Sequence, residues 1–311
     1  MSAPPNDQES DQANSALGTE LPPAVSGEDR LVDGRAGQIR VRVAGQGPPL
    51  LLLHSINAAA SAAEVAPVHE WARERFTVYS PDLPGYGRSD RSARAYDIRL
   101  FTDAVHDLLD LIAAEQGADV PVRAVGLSLS CEFLVRAATE APARFARLAL
   151  VTPTGFDRRA SRWREAPETH RQVDWLASIL ARPRVGEFLF RQLTRPAVVR
   201  YFLKRTFGTD RIDETLWRYC CRSVRHPGAR HAPLAFLSGR LFAADIRNLL
   251  EALELPVWLA HGTRGDFRDF SGATWALERD NWQLQAWPTG AIPWFEMPAE
   301  FLHDLGVFLD G

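Results

Sequence analysis

Val122-Arg123-Ala124-Val125-Gly126-Leu127-Ser128-Leu129-Ser130 decides how this chain is read. Residues 122–126 form a short strand-like run, and a helical pattern over 129–140 follows it directly. Gly126, Ser128 and Ser130 occupy the turn between the two. This is the strand–turn–helix setting of the nucleophile elbow G-x-S-x-G. Small residues there let the chain turn so sharply that the serine hydroxyl stands clear of the sheet. Ser130 replaces the last glycine, a small-for-small exchange. An ordinary turn with a helix-capping serine is the alternative, and the flanking strand and helix favour the elbow.

Working outward, residues 49–54 (PLLLLH) are a wholly apolar run, suited to a central strand buried on both faces. Residues 76–80, 148–152, 257–261 and 282–287 read as further strands, and 38–43 alternate before a turn at 45–49. Helical patterns cover 62–74, 98–114, 129–140 and 301–309; in the second, Phe101, Val105, Leu108, Leu109 and Ile112 recur near the 3.6 period. Strand alternating with helix predicts an α/β fold: a mostly parallel sheet covered on both faces. The alternation stops after Phe156 and resumes at Pro256. The helical stretch between, at about 156–245 and carrying Trp163, Trp175 and Trp217, reads as an insertion into one sheet rather than a separate domain. Such a lid covers the strand ends, where ligands bind in open α/β sheets. Residues 1–29 are polar and lack the apolar core of a signal peptide, so they read as a disordered tail before a domain over 30–311.

With 46% hydrophobic residues the 311-residue chain can bury a substantial core. The net charge of −3 lacks the basic footprint of a nucleic-acid binder. Arg-rich pieces at 158–164 and 182–205 are broken by apolar residues and acids, as on a solvated helix face. Three cysteines fit a reducing compartment without a disulfide framework, and adjacent Cys220 and Cys221 are poorly spaced for structural zinc. No apolar run is long enough to span a bilayer. These features predict a soluble, cytoplasmic protein whose partner is a small molecule, with neither nucleic acid nor membrane involved. Oligomeric state stays open.

Two further segments fit the elbow. His54-Ser55 ends a buried strand, and Asp82-Leu83-Pro84-Gly85-Tyr86-Gly87-Arg88-Ser89-Asp90 follows the next as a tight loop in which Asp82 reads as structural. With the GLSLS elbow and His261-Gly262-Thr263-Arg264-Gly265-Asp266, they stand in the order and spacing of a known family. On these motifs the chain, over roughly residues 30–311, resembles the α/β-hydrolase superfamily. The resemblance implies an eight-stranded core sheet and a helical cap between strands six and seven. It also implies chain order Ser, acid, His, with no metal and no organic cofactor. Carried over by position, Ser128 is the nucleophile and Asp266 the acid, with Asp269 a weaker alternative. The backbone N–H of Ser55 or Ile56, with that of Leu129, is placed to form the oxyanion hole.

The family's third member appears as Gly-His-x-x-x-x-Glu-x-Pro before the last helix. Here the frame is Gly290-Ala291-Ile292-Pro293-Trp294-Phe295-Glu296-Met297-Pro298. Ala291 stands in the histidine slot, and Trp294 stands where many members carry a second histidine. Serine without an adjacent base is a weak nucleophile. Loss of a triad histidine has cost about 10⁶ in kcat, about 8 kcal/mol. The oxyanion hole and binding alone leave roughly 10³–10⁴ over water. Among the other histidines, His54 is the best-placed replacement base, against a structural role hydrogen-bonding the loop beneath the oxyanion hole. Trp294 brings an indole toward Ser128, either to stack on a flat or cationic ligand or to plug a lost cavity. The reading is therefore an ester-hydrolase-like enzyme with an incomplete triad, acting on a small apolar ester-like or acyl substrate, with ordinary triad hydrolysis weak or lost. The alternatives are a receptor-like binding protein, or a cyclase or lyase reusing the capped pocket.

Overall fold

The computed structural model describes residues 21–311 apart from 160, 161 and 168. Eight strands form one sheet: β1 (Glu28–Gly34), β2 (Gly37–Ala44), β3 (Pro49–Leu53), β4 (Thr77–Pro81), β5 (Val122–Leu127), β6 (Phe145–Val151), β7 (Val257–Gly262) and β8 (Trp282–Trp287). Their spatial order is β1-β2-β4-β3-β5-β6-β7-β8. From β4 to β8 all neighbours are parallel, while β2 is antiparallel to both β1 and β4. Every residue of β3 and β4 is buried, as expected for strands covered on both faces.

Helices α1 (Ala66–Ala72), α2 (Ile98–Gln116), α3 (Ser130–Glu140), α9 (Ile246–Glu251) and α10 (Pro298–Asp310) supply that cover. One core contains Phe101 of α2 stacked on Phe133 of α3 at 4.8 Å, with Ile246 and Leu250 of α9. The other contains Val68 and Ala72 of α1 with Phe301 and Leu305 of α10. This is the mostly parallel, doubly covered sheet that the strand–helix alternation predicts, with the eight strands that the resemblance implies.

Between β6 and α9 the chain forms α4 (Asp174–Leu180), α5 (Pro183–Leu193), α6 (Pro196–Phe207), α7 (Glu214–Ser223) and α8 (His231–Leu237). Prolines open α5 and α6, where a missing N–H is harmless. The Asp213 side chain caps α7 by accepting from the Leu216 N–H at 2.6 Å. Two buried carboxylates tie this insertion to the sheet domain. Glu132 on α3 accepts from the Ala243 N–H at 2.7 Å and from Arg171 at 3.0 Å. Arg136 on α3 meets Asp245 at 2.6 Å, and both side chains are almost fully buried.

Two sequence expectations change here. The tail expected over 1–29 does not extend to its last residues: Leu21 and Val25 are buried, the Pro22 carbonyl accepts from the Tyr219 hydroxyl at 2.8 Å, and β1 starts at Glu28. Residues 1–20 of that expected tail lie outside the described residues. The helix read over 62–74 is a 3₁₀ turn, Ala62–Val65, running into α1 at Ala66, and the break places Glu64 on the site described next.

Candidate functional site

β5 ends at Leu127 and α3 begins at Ser130. Between them Ser128 has φ of +58°, a left-handed conformation costly for a residue with a Cβ. It is fixed by the Ser128 N–H donating to the Val151 carbonyl at 2.9 Å and by the Cys131 N–H donating to the Ser128 carbonyl at 3.1 Å. A Cβ on Gly126 would come within 3.2 Å of both Cys131 Sγ and Leu134 Cδ2, so a larger residue fits only if these side chains give by a few tenths of an ångström. Ser130 fits in place of the last because its buried hydroxyl donates back to the Leu127 carbonyl at 2.8 Å. Ser128 thus stands half-exposed at the head of a cavity of about 310 Å³. Helices of the insertion supply apolar wall, including Leu193, Val199, Leu203 and Phe236.

The sequence-predicted residues meet in this cavity, but with unexpected partners. Ser55, Ile56, Leu129, Asp266 and Ala291 all line it. The Ser55 N–H, expected to face an oxyanion, instead donates to Glu64 Oε2 at 2.8 Å. The N–H groups of Ile56 and Leu129 donate to no protein acceptor among the described residues. The Asp266 carboxylate is gripped by Arg205 through both Nε and Nη2, the latter at 2.8 Å, and its N–H donates to the Arg205 carbonyl at 3.2 Å. That carboxylate raises the guanidinium pKa above its ordinary value. Asp269, the alternative acid, instead accepts from the Ser271 N–H and hydroxyl in a local turn, and these bonds hold its pKa low.

Ala291 sits on the cavity wall with its backbone clamped on both sides. Its N–H donates to the Thr206 carbonyl at 2.8 Å, and its carbonyl accepts from the Thr152 hydroxyl at 2.8 Å. The Gly and Glu of the surrounding frame have a structural reason: the Gly290 N–H donates to Glu296 Oε1 at 2.6 Å, and Glu296 pairs with Arg264. Trp294 does not line the cavity, which corrects the expectation of an indole beside a ligand. It is 1% exposed, packs edge-on against Phe301 and donates its Nε1–H to the Glu64 carbonyl at 2.8 Å. It plugs.

Among the described residues no histidine lines the cavity. His54, named above as an alternative base, has both nitrogens committed. Nε2 accepts from the Leu83 N–H at 2.9 Å, which fixes the proton on Nδ1, and Nδ1–H donates to the Ser55 carbonyl at 2.6 Å. Burial also pushes its pKa down. The structure gives it the loop-holding role. His261 hydrogen-bonds the Gly262 carbonyl through Nδ1 and stacks on Phe270, and His303 is exposed on α10. Asp82 is structural as read: Oδ1 accepts from the Ala62 N–H at 3.0 Å and Oδ2 from the Arg88 N–H at 2.9 Å.

Sequence reasoning missed Glu64 and Cys220, both buried and both lining the cavity. Burial pushes the Cys220 thiol well above its ordinary pKa, which keeps it protonated and a poor nucleophile. Among the described residues no group of three or more His, Cys, Asp or Glu is placed to hold a metal ion. No described helix is long and apolar enough to cross a membrane.

With this geometry in view, the comparisons agree. The family model for the α/β-hydrolase fold matches residues 48–198, from before β3 into α6. An uncharacterised protein of Mycobacterium tuberculosis is 34% identical over 114 residues, 37% of this chain and 31% of its own length. The match thus spans about a third of that mycobacterial relative. A pimeloyl-[acyl-carrier protein] methyl ester esterase of Nitrosomonas europaea is 25% identical over 268 residues, 85% of this chain and 96% of that protein. Among solved structures, a serine hydrolase involved in carbazole degradation superposes with a TM-score of 0.70 at 16% identity, covering 92% of this chain and 99% of that one. The enol-lactonase of Burkholderia xenovorans gives 0.68 at 19% identity, covering 91% and 100%. The fold and elbow define a protein of hydrolase architecture. The chain has the α/β-hydrolase fold, and the family model for that fold covers just under half of it.

Proposed function

We propose that this chain binds a small, mostly apolar ester- or acyl-type molecule in its capped cavity, with the carbonyl against Ser128, and that covalent turnover is slow. The carrying observation is the pairing of a strained Ser128 with a cavity wall that, among the described residues, contains no imidazole. The elbow and the free N–H groups of Ile56 and Leu129 support attack and charge stabilisation at a carbonyl carbon. No imidazole among the described residues lines the cavity to take the serine proton, and the typical 10²–10⁴-fold contribution of a positioned general base is missing on this reading.

A second reading, a receptor-like protein that binds without chemistry, is favoured by how the other polar groups are engaged. Asp266 is held by Arg205 and the Ser55 N–H by Glu64, so two elements of an acyl-transfer site are diverted. The experiment that separates the readings is labelling with a fluorophosphonate probe, alongside turnover of p-nitrophenyl acetate. Labelling that disappears in Ser128→Ala, with slow ester turnover, is expected of the first reading. Absence of labelling together with ligand binding would leave only the second.

A further inference from the structure

Glu64 is a buried acid of the cavity wall that neither the sequence motifs nor the family frame explains. It comes from the 3₁₀ turn Ala62–Val65 and is 4% exposed. Its carboxylate accepts from the Ser55 N–H at 2.8 Å and from Asn57 Nδ2 at 2.7 Å, both neutral donors. A carboxylate offers about four acceptor positions, so two are left on a group that lines the cavity.

No Lys, Arg or His among the described residues forms an ion pair with Glu64. The nearby Arg91 guanidinium is spent on the Gly87 carbonyl and on the carbonyl and hydroxyl of Ser223. His54 is held in its neutral form by the Leu83 N–H on Nε2 and spends its Nδ1–H on the Ser55 carbonyl. The other cavity-lining charges, Asp266 and Arg205, cancel each other. A buried carboxylate lacking a counter-ion is costly, and a cation is what it lacks. The same carboxylate takes the Ser55 N–H, so a ligand's acceptor oxygen gains nothing at that point, whereas an N–H⁺ donor gains a charge-assisted hydrogen bond.

We infer that Glu64 makes the polar end of this cavity a recognition site for a single cationic group, an ammonium carried on a small apolar body. This deepens the proposed function and rests on its reading of the cavity as the small-molecule site. The apolar remainder of the wall selects a hydrocarbon or aromatic body, and one uncompensated negative charge selects one positive charge.

The test is calorimetric titration of the full chain at pH 7 with three probes of equal length: hexylammonium, hexanol and hexanoate. Hexylammonium should bind about tenfold or more tighter than hexanol, as expected for a hydrogen bond to a charged group, and hexanoate weakest. In Glu64→Gln, which keeps an acceptor for the Ser55 N–H, the preference for hexylammonium over hexanol should vanish while hexanol binding stays. Equal or tighter binding of hexanol or hexanoate to the unaltered chain overturns the inference, and so does failure of all three to bind. If Glu64→Gln does not fold, the charge series on the unaltered chain decides alone; if it folds and keeps the preference, the inference fails. Fluorophosphonate labelling of Ser128 is read separately. Labelling without cation preference removes only this inference, and cation preference without labelling removes only the ester chemistry.

Discussion

At Ala291 the backbone is held by Thr206 on one side and Thr152 on the other, and the methyl group lines the cavity with Ser128. On the reading that places the family's histidine at 291, the side chain there offers no proton acceptor. Ala291→His should raise hydrolysis of p-nitrophenyl acetate about 10²-fold or more, the lower range for a positioned general base. It should fall short of a full triad, because Asp266 is committed to Arg205 and would not orient the new imidazole. Adding Arg205→Gln to Ala291→His should then give a further rise, measured as kcat/KM on the same ester. Trp294 behaves differently. It is packed against Phe301 and bonded to the Glu64 carbonyl, so Trp294→Ala should cost about 3–5 kcal/mol of stability by urea denaturation, as for other buried tryptophan truncations. The sequence showed both substitutions but not their difference. Three residues apart in one frame, only the first reaches the cavity. Glu64 was invisible for a related reason: a lone acid in Ala-Ala-Glu-Val reads as the solvated face of a helix, and only the fold of residues 54–66 buries it.

Elements were legible where hydrophobic pattern fixed them. The apolar runs at β3 to β8 and the 3.6-residue period of α2 gave the parallel sheet and its cover, because central strands and packed helices must be apolar on their buried faces. β1 escaped because Glu28–Gly34 is an edge strand with no fully buried residue, so it carries no apolar alternation to find. The individual helices of the insertion also escaped, and so did their anchors, which join residues more than a hundred positions apart. Glu132 to Ala243 and Arg136 to Asp245 are such anchors. Breaking a buried pair by removing one charge costs about 3–5 kcal/mol. Arg136→Met should therefore lower stability in urea by that amount and expose the 156–245 segment to limited proteolysis before the sheet domain. The double variant Arg136→Met/Asp245→Leu should recover part of the loss, because both charges of the pair are then gone.

The molecule as a whole is electrostatically two-sided. Residues 156–245 carry 18 of the 36 Lys and Arg but only 9 of the 39 Asp and Glu, a formal charge of +9 against −12 for the rest. Opposite signs on insertion and sheet domain favour their contact, and that contribution weakens as acid neutralises the sheet domain's carboxylates. A sharper acid sensitivity comes from the core. His69 is fully buried, with Nδ1 at 2.8 Å from the Ser80 hydroxyl. Burial lowers its pKa from 6.5 to about 4, and it lowers that of His54 as well. An unfolded chain protonates these histidines near 6.5, so between 6.5 and 4 the unfolded state binds more protons than the folded one. The folded state's advantage is complete above that window and is lost as pH falls through it. For His69 alone the loss between pH 7 and pH 5 is about 2 kcal/mol. Urea unfolding at these two pH values should show the unaltered chain losing at least that much. His69→Gln, neutral throughout, should lose about 2 kcal/mol less over the same interval, whatever its stability at pH 7. An undiminished loss in His69→Gln would mean that the acid sensitivity comes from His54 or from the carboxylates of the sheet domain, not from the imidazole of His69.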